Sequence, residues 1–199
     1  TSMTGLIHSR IDRLPAEQRS GLQQSSVIGM EFLMRLYRRL AEKLEATGEA
    51  EEVLSGLEKK DFVAGMKELS DLRYIFKHIL TCNTAYKTIL RHNRLILHRH
   101  VAEALVELFP EDKAVYGDIA YHFEQAEEWE MAEEYCSKAG EYLYEIFNFE
   151  ESMIFFKKGL SICEKVFEPE HLEIEISLHN LASLYNRLGL YDQAEPLFK

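Results

Sequence analysis

The chain has 199 residues, 46% of them hydrophobic and 29% charged, a balance that fits a water-facing globular protein with a sizeable core and excludes a disordered or fibrous one. No stretch reaches the roughly 18 apolar residues of a membrane span, and no signal-peptide pattern opens the chain. Thr1-Ser2-Met3 reads as a cloning remnant, with which a targeting signal would have been cut off, so the expected compartment, the cytoplasm, rests on the cysteines. The net charge of −11 is uneven: residues 1–110 hold sixteen lysines and arginines against fourteen acidic residues, whereas residues 111–199 hold seven against twenty. That step, beside Phe109-Pro110-Glu111-Asp112, marks the expected boundary between a domain over 4–110 and another over 111–199, and the acidic half argues against nucleic acid or an anionic membrane as its partner. The cysteines Cys82, Cys136 and Cys163 are widely spaced with no CxxC pair and read as buried thiols in a reducing compartment.

In chain order, Ile7 to Leu14 reads as a helix stopped by Pro15, followed by helices over 17–28, 33–44 and 49–60, the last with Val53, Leu54 and Leu57 on one face. Phe62-Val63-Ala64 and Arg73-Tyr74-Ile75-Phe76 read as strands, with Glu68 to Asp71 turning between them. Two further helices are expected near 79–90 and 92–108. The second half reads as helices near 113–126, 129–147, 150–167, 172–188 and 191–199, each with apolar residues at three- and four-residue spacing.

The second half also carries a ladder of small and aromatic residues. Ala182, Tyr185, Gly189, Tyr191, Ala194 and Phe198 form one set: small residues where two helices cross, rings beside them and Gly at the bend. Gly140, Phe149, Ser152 and Phe156 lie 42 residues earlier, and Ala120, Trp129, Ala132 and Cys136 lie 20 residues before those. The pattern resembles the tetratricopeptide repeat, and its 42-residue step is similar to that of kinesin-light-chain repeats; the extra length falls in Glu168-Pro169-Glu170-His171. The 20-residue step implies that the helix from Trp129 to Phe147 is shared, ending one hairpin and beginning the next. The resemblance implies a peptide- or protein-binding face on the first helix of each unit, with His179, Asn180, Ser183, Asn186 and Arg187 as candidates. Asn180 matches the Asn that meets a bound peptide backbone in kinesin-light-chain-like repeats. Because the last unit stops at Lys199 inside its second helix, the chain is expected to be a fragment of a longer protein.

Three helices followed by a hairpin is the layout of a winged helix. The segments RIDRLP and LQQSSVIGMEF, then LRYIFKHILTCNTAYKTIL, then RLILHRHVAEALVELFP, resemble the region after the nucleotide-binding core in STAND-type signal-transduction ATPases, in which an ATPase module, a winged helix and helical repeats follow in that order. The implied fold is mainly α, a winged-helix-like domain followed by an α-solenoid of tetratricopeptide-like repeats. The implied role is non-catalytic: coupling a partner on the repeats to the nucleotide state of an ATPase domain elsewhere in the parent, which would hold the ATP or ADP. In such ATPases a His at the end of the hairpin reaches the phosphates of ADP, and His78 matches it.

The segment itself has no GxxxxGK[ST], GxSxG or HExxH. His98, His100 and Glu103 are close in sequence, but residues two apart face different sides of a helix, which argues against a metal site. Two alternatives remain. One is the regulatory arm of a nucleotide cyclase. The other is a DNA-binding winged helix supported by Lys87, Arg91, His92, Arg94, His98, Arg99 and His100, and opposed by Glu49, Glu51, Glu52 and Glu58 in the helix before the hairpin.

Overall fold

The computed structural model describes residues 3–67, 71–168 and 170–198, with Phe198 described by its backbone alone. It divides into two compact units, Thr1–Ala104 and Leu105–Lys199. In the first, α1 (Met3–Asp12), α2 (Ala16–Ile28), β1 (Glu31–Leu33), α3 (Met34–Lys43), α4 (Ala50–Lys59), β2 (Val63–Lys67), β3 (Leu72–Phe76) and α5 (Ile79–Lys87) precede α6 (Arg91–Leu108), within which the division falls. The helices form where apolar residues recur on one face: Met34, Tyr37 and Leu40 in α3, and Ala50, Val53, Leu54 and Leu57 in α4, are buried. Pro15 ends α1 and its carbonyl accepts the first helical bond of α2, from the Arg19 amide at 2.9 Å.

The sheet has three antiparallel strands in the order β1-β3-β2. The sequence pattern foresaw two of them. The third, β1, is three residues long, too short to show an alternation, and it forms because β3 offers a free edge: Phe32 pairs with Tyr74, and the Phe76 amide bonds the Met30 carbonyl. Phe32, 3% exposed, then stacks on the Tyr74 ring at 5.9 Å and meets the Phe76 and Tyr37 rings at 6.3 and 6.1 Å. The core continues through Leu22, Leu54, Leu57, Val63 and Ala85. Residues 68–70 of the expected hairpin turn lie outside the described residues, as do Thr1, Ser2, Pro169 and the Phe198 ring expected to close the last repeat.

The second unit is helical: α7 (Tyr116–Gln125), α8 (Trp129–Glu145), α9 (Phe149–Val166), α10 (Leu172–Arg187) and α11 (Tyr191–Ala194), with 3-10 turns over Lys113–Val115 and Glu195–Phe198. The last segment is thus one α turn and one 3-10 turn instead of the continuous helix expected over 191–199. Each helix packs on the next, and α8 packs on both α7 and α9, as its shared role requires. The small positions are the crossing points. Ala120, Ala132, Cys136, Ser152 and Ala182 have no exposed surface. Ser152 Oγ donates to the Gly140 carbonyl at 2.8 Å, and a Cβ on Gly140 would lie 2.5 Å from the Phe156 ring. The fold is therefore mainly α, with tetratricopeptide-like helical repeats and a small sheet.

The backbone repeats the same register independently of side chains. Glu127, Phe147 and Gly189 have φ of 60°, 63° and 73°. Behind each, the next amide reaches back five residues: Glu128 to the Phe123 carbonyl, Asn148 to Leu143 and Leu190 to Tyr185, at 3.0, 2.8 and 2.9 Å. These are Schellman closures, and they are spaced 20 and 42 residues apart like the small residues. Only the third uses Gly. An added Cβ at Gly189 would meet nothing within 4 Å, so only its backbone conformation matters.

A buried polar network joins three of these helices. Glu133 of α8, 6% exposed, accepts from Ser137 Oγ at 2.9 Å and from Ser177 Oγ of α10 at 3.2 Å, and Cys163 Sγ of α9 lies 3.5 Å from Ser177 Oγ. Burial pushes the Glu133 carboxyl above its ordinary value, the nearby Glu173 and Glu134 add to this, and the two serines offset only part of it.

Two outcomes are expected. Gly189→Ala lowers unfolding stability by about 1 kcal/mol, the cost of a Cβ in the left-handed region, measured by chemical denaturation. For Glu133, the folded chain holds the proton more tightly than the unfolded one. Its stability is therefore greatest below the ordinary value of 4.5 and declines as pH rises through the raised one. Glu133→Gln, which still accepts from both serines, is more stable than the parent at pH 7, and the difference narrows in melts taken below about pH 4.

Candidate interaction surface

In α10 the inward positions Ile174, Ser177, Leu181, Ala182, Leu184 and Tyr185 are buried. Of the five candidates, His179, Asn186 and Arg187 are exposed, and Asn180 and Ser183 half-buried. At 3.6 residues per turn all five project within an arc of about 120°, so the structure brings them to one face. It also adds two residues that polarity-led reading passed over: Leu172 and Ile176, 63% and 41% exposed, fall in the same arc. Their signal was present in the sequence as an apolar pair four residues apart, out of phase with the packed side.

The matching face of α8, 42 residues earlier, carries Glu130, Glu134, Lys138, Glu141 and Glu145. Lys138 pairs with Glu134 at 2.5 Å and Lys113 with Glu145 at 2.8 Å, leaving an acidic balance. The Glu133–Ser177 hydrogen bond links α8 to α10, and the unit so carries an acidic first-helix face on one and, on the other, a face with His179, Arg187 and two exposed aliphatic side chains.

In the first unit His78 stands between β3 and α5. Its backbone is extended, with φ −143° and ψ 131°, and its carbonyl accepts from the Thr81 and Cys82 amides at 2.9 and 3.3 Å. The imidazole is exposed and makes no capping bond, so the ring is not consumed in holding the helix end.

His98 and His100 serve packing and pairing. His98, 1% exposed, bonds the Tyr86 hydroxyl through Nε2 at 2.9 Å, and burial, with help from Arg94, pushes its pKa down to about 4. His100 and Lys43 bond Glu103 at 3.1 and 3.3 Å, and Arg99 lies 3.5 Å from it. Burial pushes the Glu103 carboxyl up, but the His100 and Lys43 hydrogen bonds outweigh it, and the group ends below its ordinary value. Among the described residues no cluster of His, Cys, Asp and Glu is arranged to hold a metal.

The basic run does not form one surface. His98 is buried, Arg94 lies 5.2 Å over the Tyr86 ring, and Arg99 and His100 face Glu103. The helix before the hairpin is acidic on its exposed side, with Glu51 and Glu52, and α3 spends its cations on pairs: Arg35 with Asp71, Arg38 with Glu51, Arg39 with Glu42. Among the described residues no helix is long and apolar enough to cross a membrane.

Residues 137–199 match the family model of the tetratricopeptide repeat, over the part of α8 from Ser137 and the whole of α9, α10 and α11. No curated protein matches the chain. Among solved structures, the kinesin-light-chain TPR-like repeats of Podosopora anserina align over 92% of this chain and 93% of that one at 15% identity, and a point variant of those repeats over 93% of each at the same identity. Both superpose with a TM-score of 0.30 and do not bear on the fold of the whole chain. The family resemblance thus rests on the repeat segment, where the small residues and left-handed bends recur in one register.

Proposed function

We propose that this chain is the regulatory, protein-binding segment of a larger signalling ATPase, in which partner binding on the repeats biases the nucleotide state of an ATPase domain in the parent. The observation that carries the binding half is the α10 face: five polar side chains, three exposed and two half-buried, and two exposed aliphatic ones on the first helix of a matched repeat. Together with it, the acidic α8 face of the same unit favours a partner segment with basic residues and an aliphatic anchor. The chain does no chemistry of its own in this reading.

The regulatory half is supported by the first unit. Its order of helix, strand, two helices and two strands, with the first strand added to the edge of the hairpin, is the layout of a winged helix. The exposed His78 ring at the end of that hairpin is where an ADP phosphate would be met. A partner then shifts the ATPase only by the difference in its affinity for the closed and open arrangements.

Peptides selected from a random display library on this chain are expected to combine Lys or Arg with Leu, Ile or Val. Asn180→Ala combined with Arg187→Ala should weaken them by about tenfold, the loss of two polar contacts, in titration calorimetry. Failure to select any peptide, or affinity unmoved by the double substitution, overturns the binding half. In the parent protein His78→Ala should release ADP about tenfold faster, the loss of one charge-assisted hydrogen bond. Unchanged ADP retention would refute the regulatory role of that residue.

A further inference from the structure

The first unit contains a cavity of about 580 Å³ between α2, the loop joining α3 to α4, and α6. That volume lies in the range of small-molecule sites. Its walls are apolar where Ala41, Leu44, Val53, Ile89 and Leu97 line it. Its charged groups are of one kind. Glu17 and Glu45 bring carboxylates, and among the described residues no lysine, arginine or histidine lines it. Gln24, 6% exposed, spends its amide nitrogen on Ser20 Oγ at 3.2 Å, which leaves its Oε1 to accept.

Tyr37 is the telling residue. It is 2% exposed and lines the cavity, yet among the described residues no group hydrogen-bonds its hydroxyl. Buried tyrosine hydroxyls ordinarily find a partner, so an unmet one facing a cavity asks for a ligand atom. A second cavity of about 500 Å³ shares Glu17 and adds Glu49 and Glu52. Its lysines, Lys59 and Lys60, stand at the other end of α4, and Lys60 already donates to Gln18 at 2.6 Å. The lining that the two cavities have in common at Glu17 is therefore acidic, and the first cavity holds the Gln24 and Tyr37 oxygens above apolar walls.

We propose that this cavity is a binding site for a small organic cation, an apolar body carrying an ammonium or guanidinium group. The body fills the space beside Val53 and Leu97, and the cation donates to the Tyr37 hydroxyl oxygen, Gln24 Oε1 and the Glu17 carboxylate. An anionic ligand of the same shape would meet like charge at Glu17 and Glu45. The site is independent of the repeats, and its failure leaves the repeat reading untouched.

The test uses two probes with one body, hexylammonium and hexanoate, titrated calorimetrically into the intact chain. Hexylammonium is expected to bind with a dissociation constant on the order of 1 mM, the strength such a small ligand reaches, and hexanoate at least about fivefold more weakly, for want of charge complementarity. Glu17→Gln, at an exposed position, removes most of that preference, Tyr37→Phe weakens the cation about threefold by removing one hydrogen bond, and Ala41→Leu, which fills the cavity, abolishes binding. Circular dichroism confirms that each variant is folded, and the Glu17 variant decides the matter if the Ala41 variant is not. Equal binding of the two probes, cation binding unmoved by Glu17→Gln and Tyr37→Phe, or no binding of hexylammonium to the parent chain overturns the proposal.

Discussion

The second unit depends on helices allowed to touch where their side chains are smallest. At Gly140 a single added methyl would overlap the Phe156 ring, and the Ser152 hydroxyl reaches the Gly140 carbonyl across the crossing. That approach brings rings such as Phe156 and Tyr185 into contact with Leu181, Leu184 and Ala194, and so buries a stripe that no single hairpin could cover. Once the crossings are fixed, the outward face of α10 is fixed too, because a helix has one phase. What it presents to a partner follows from what it must hide.

Polar chemistry inside the same unit works against easy packing and still specifies it. Glu133 is costly to bury, yet its contacts with Ser137 and Ser177 tie α8 to α10 across the helix between them. An apolar side chain at that position would fill space without selecting which neighbour it faces. The Lys158–Glu124 pair at 2.6 Å likewise joins α9 to α7 across α8. Such links fix relative placement more than they add stability.

Much of this was legible in the sequence because helices announce themselves by three- and four-residue spacing and by their stops. Pro15, Gly189 and the small residues of the ladder were readable as types with one physical use each. The strand over Glu31–Leu33 was not, since it exists only by pairing with residues forty or more positions away. The bends at Glu127 and Phe147 were equally silent, because neither residue is one that favours a left-handed backbone. Leu172 and Ile176 passed unnoticed on the candidate face because apolar residues were assigned to the core by default. The cavity beside Tyr37 is a property of three packed elements and has no signature in any one of them.

The doubled duty of α8 also bears on how the molecule comes apart. Ordinary repeat arrays can lose one hairpin at a time, because each meets its neighbour through a single interface. Here the second helix of one hairpin is the first of the next, so α7 cannot leave without uncovering the helix on which α9 is built. The triplet α7–α8–α9 therefore opens as one cooperative block.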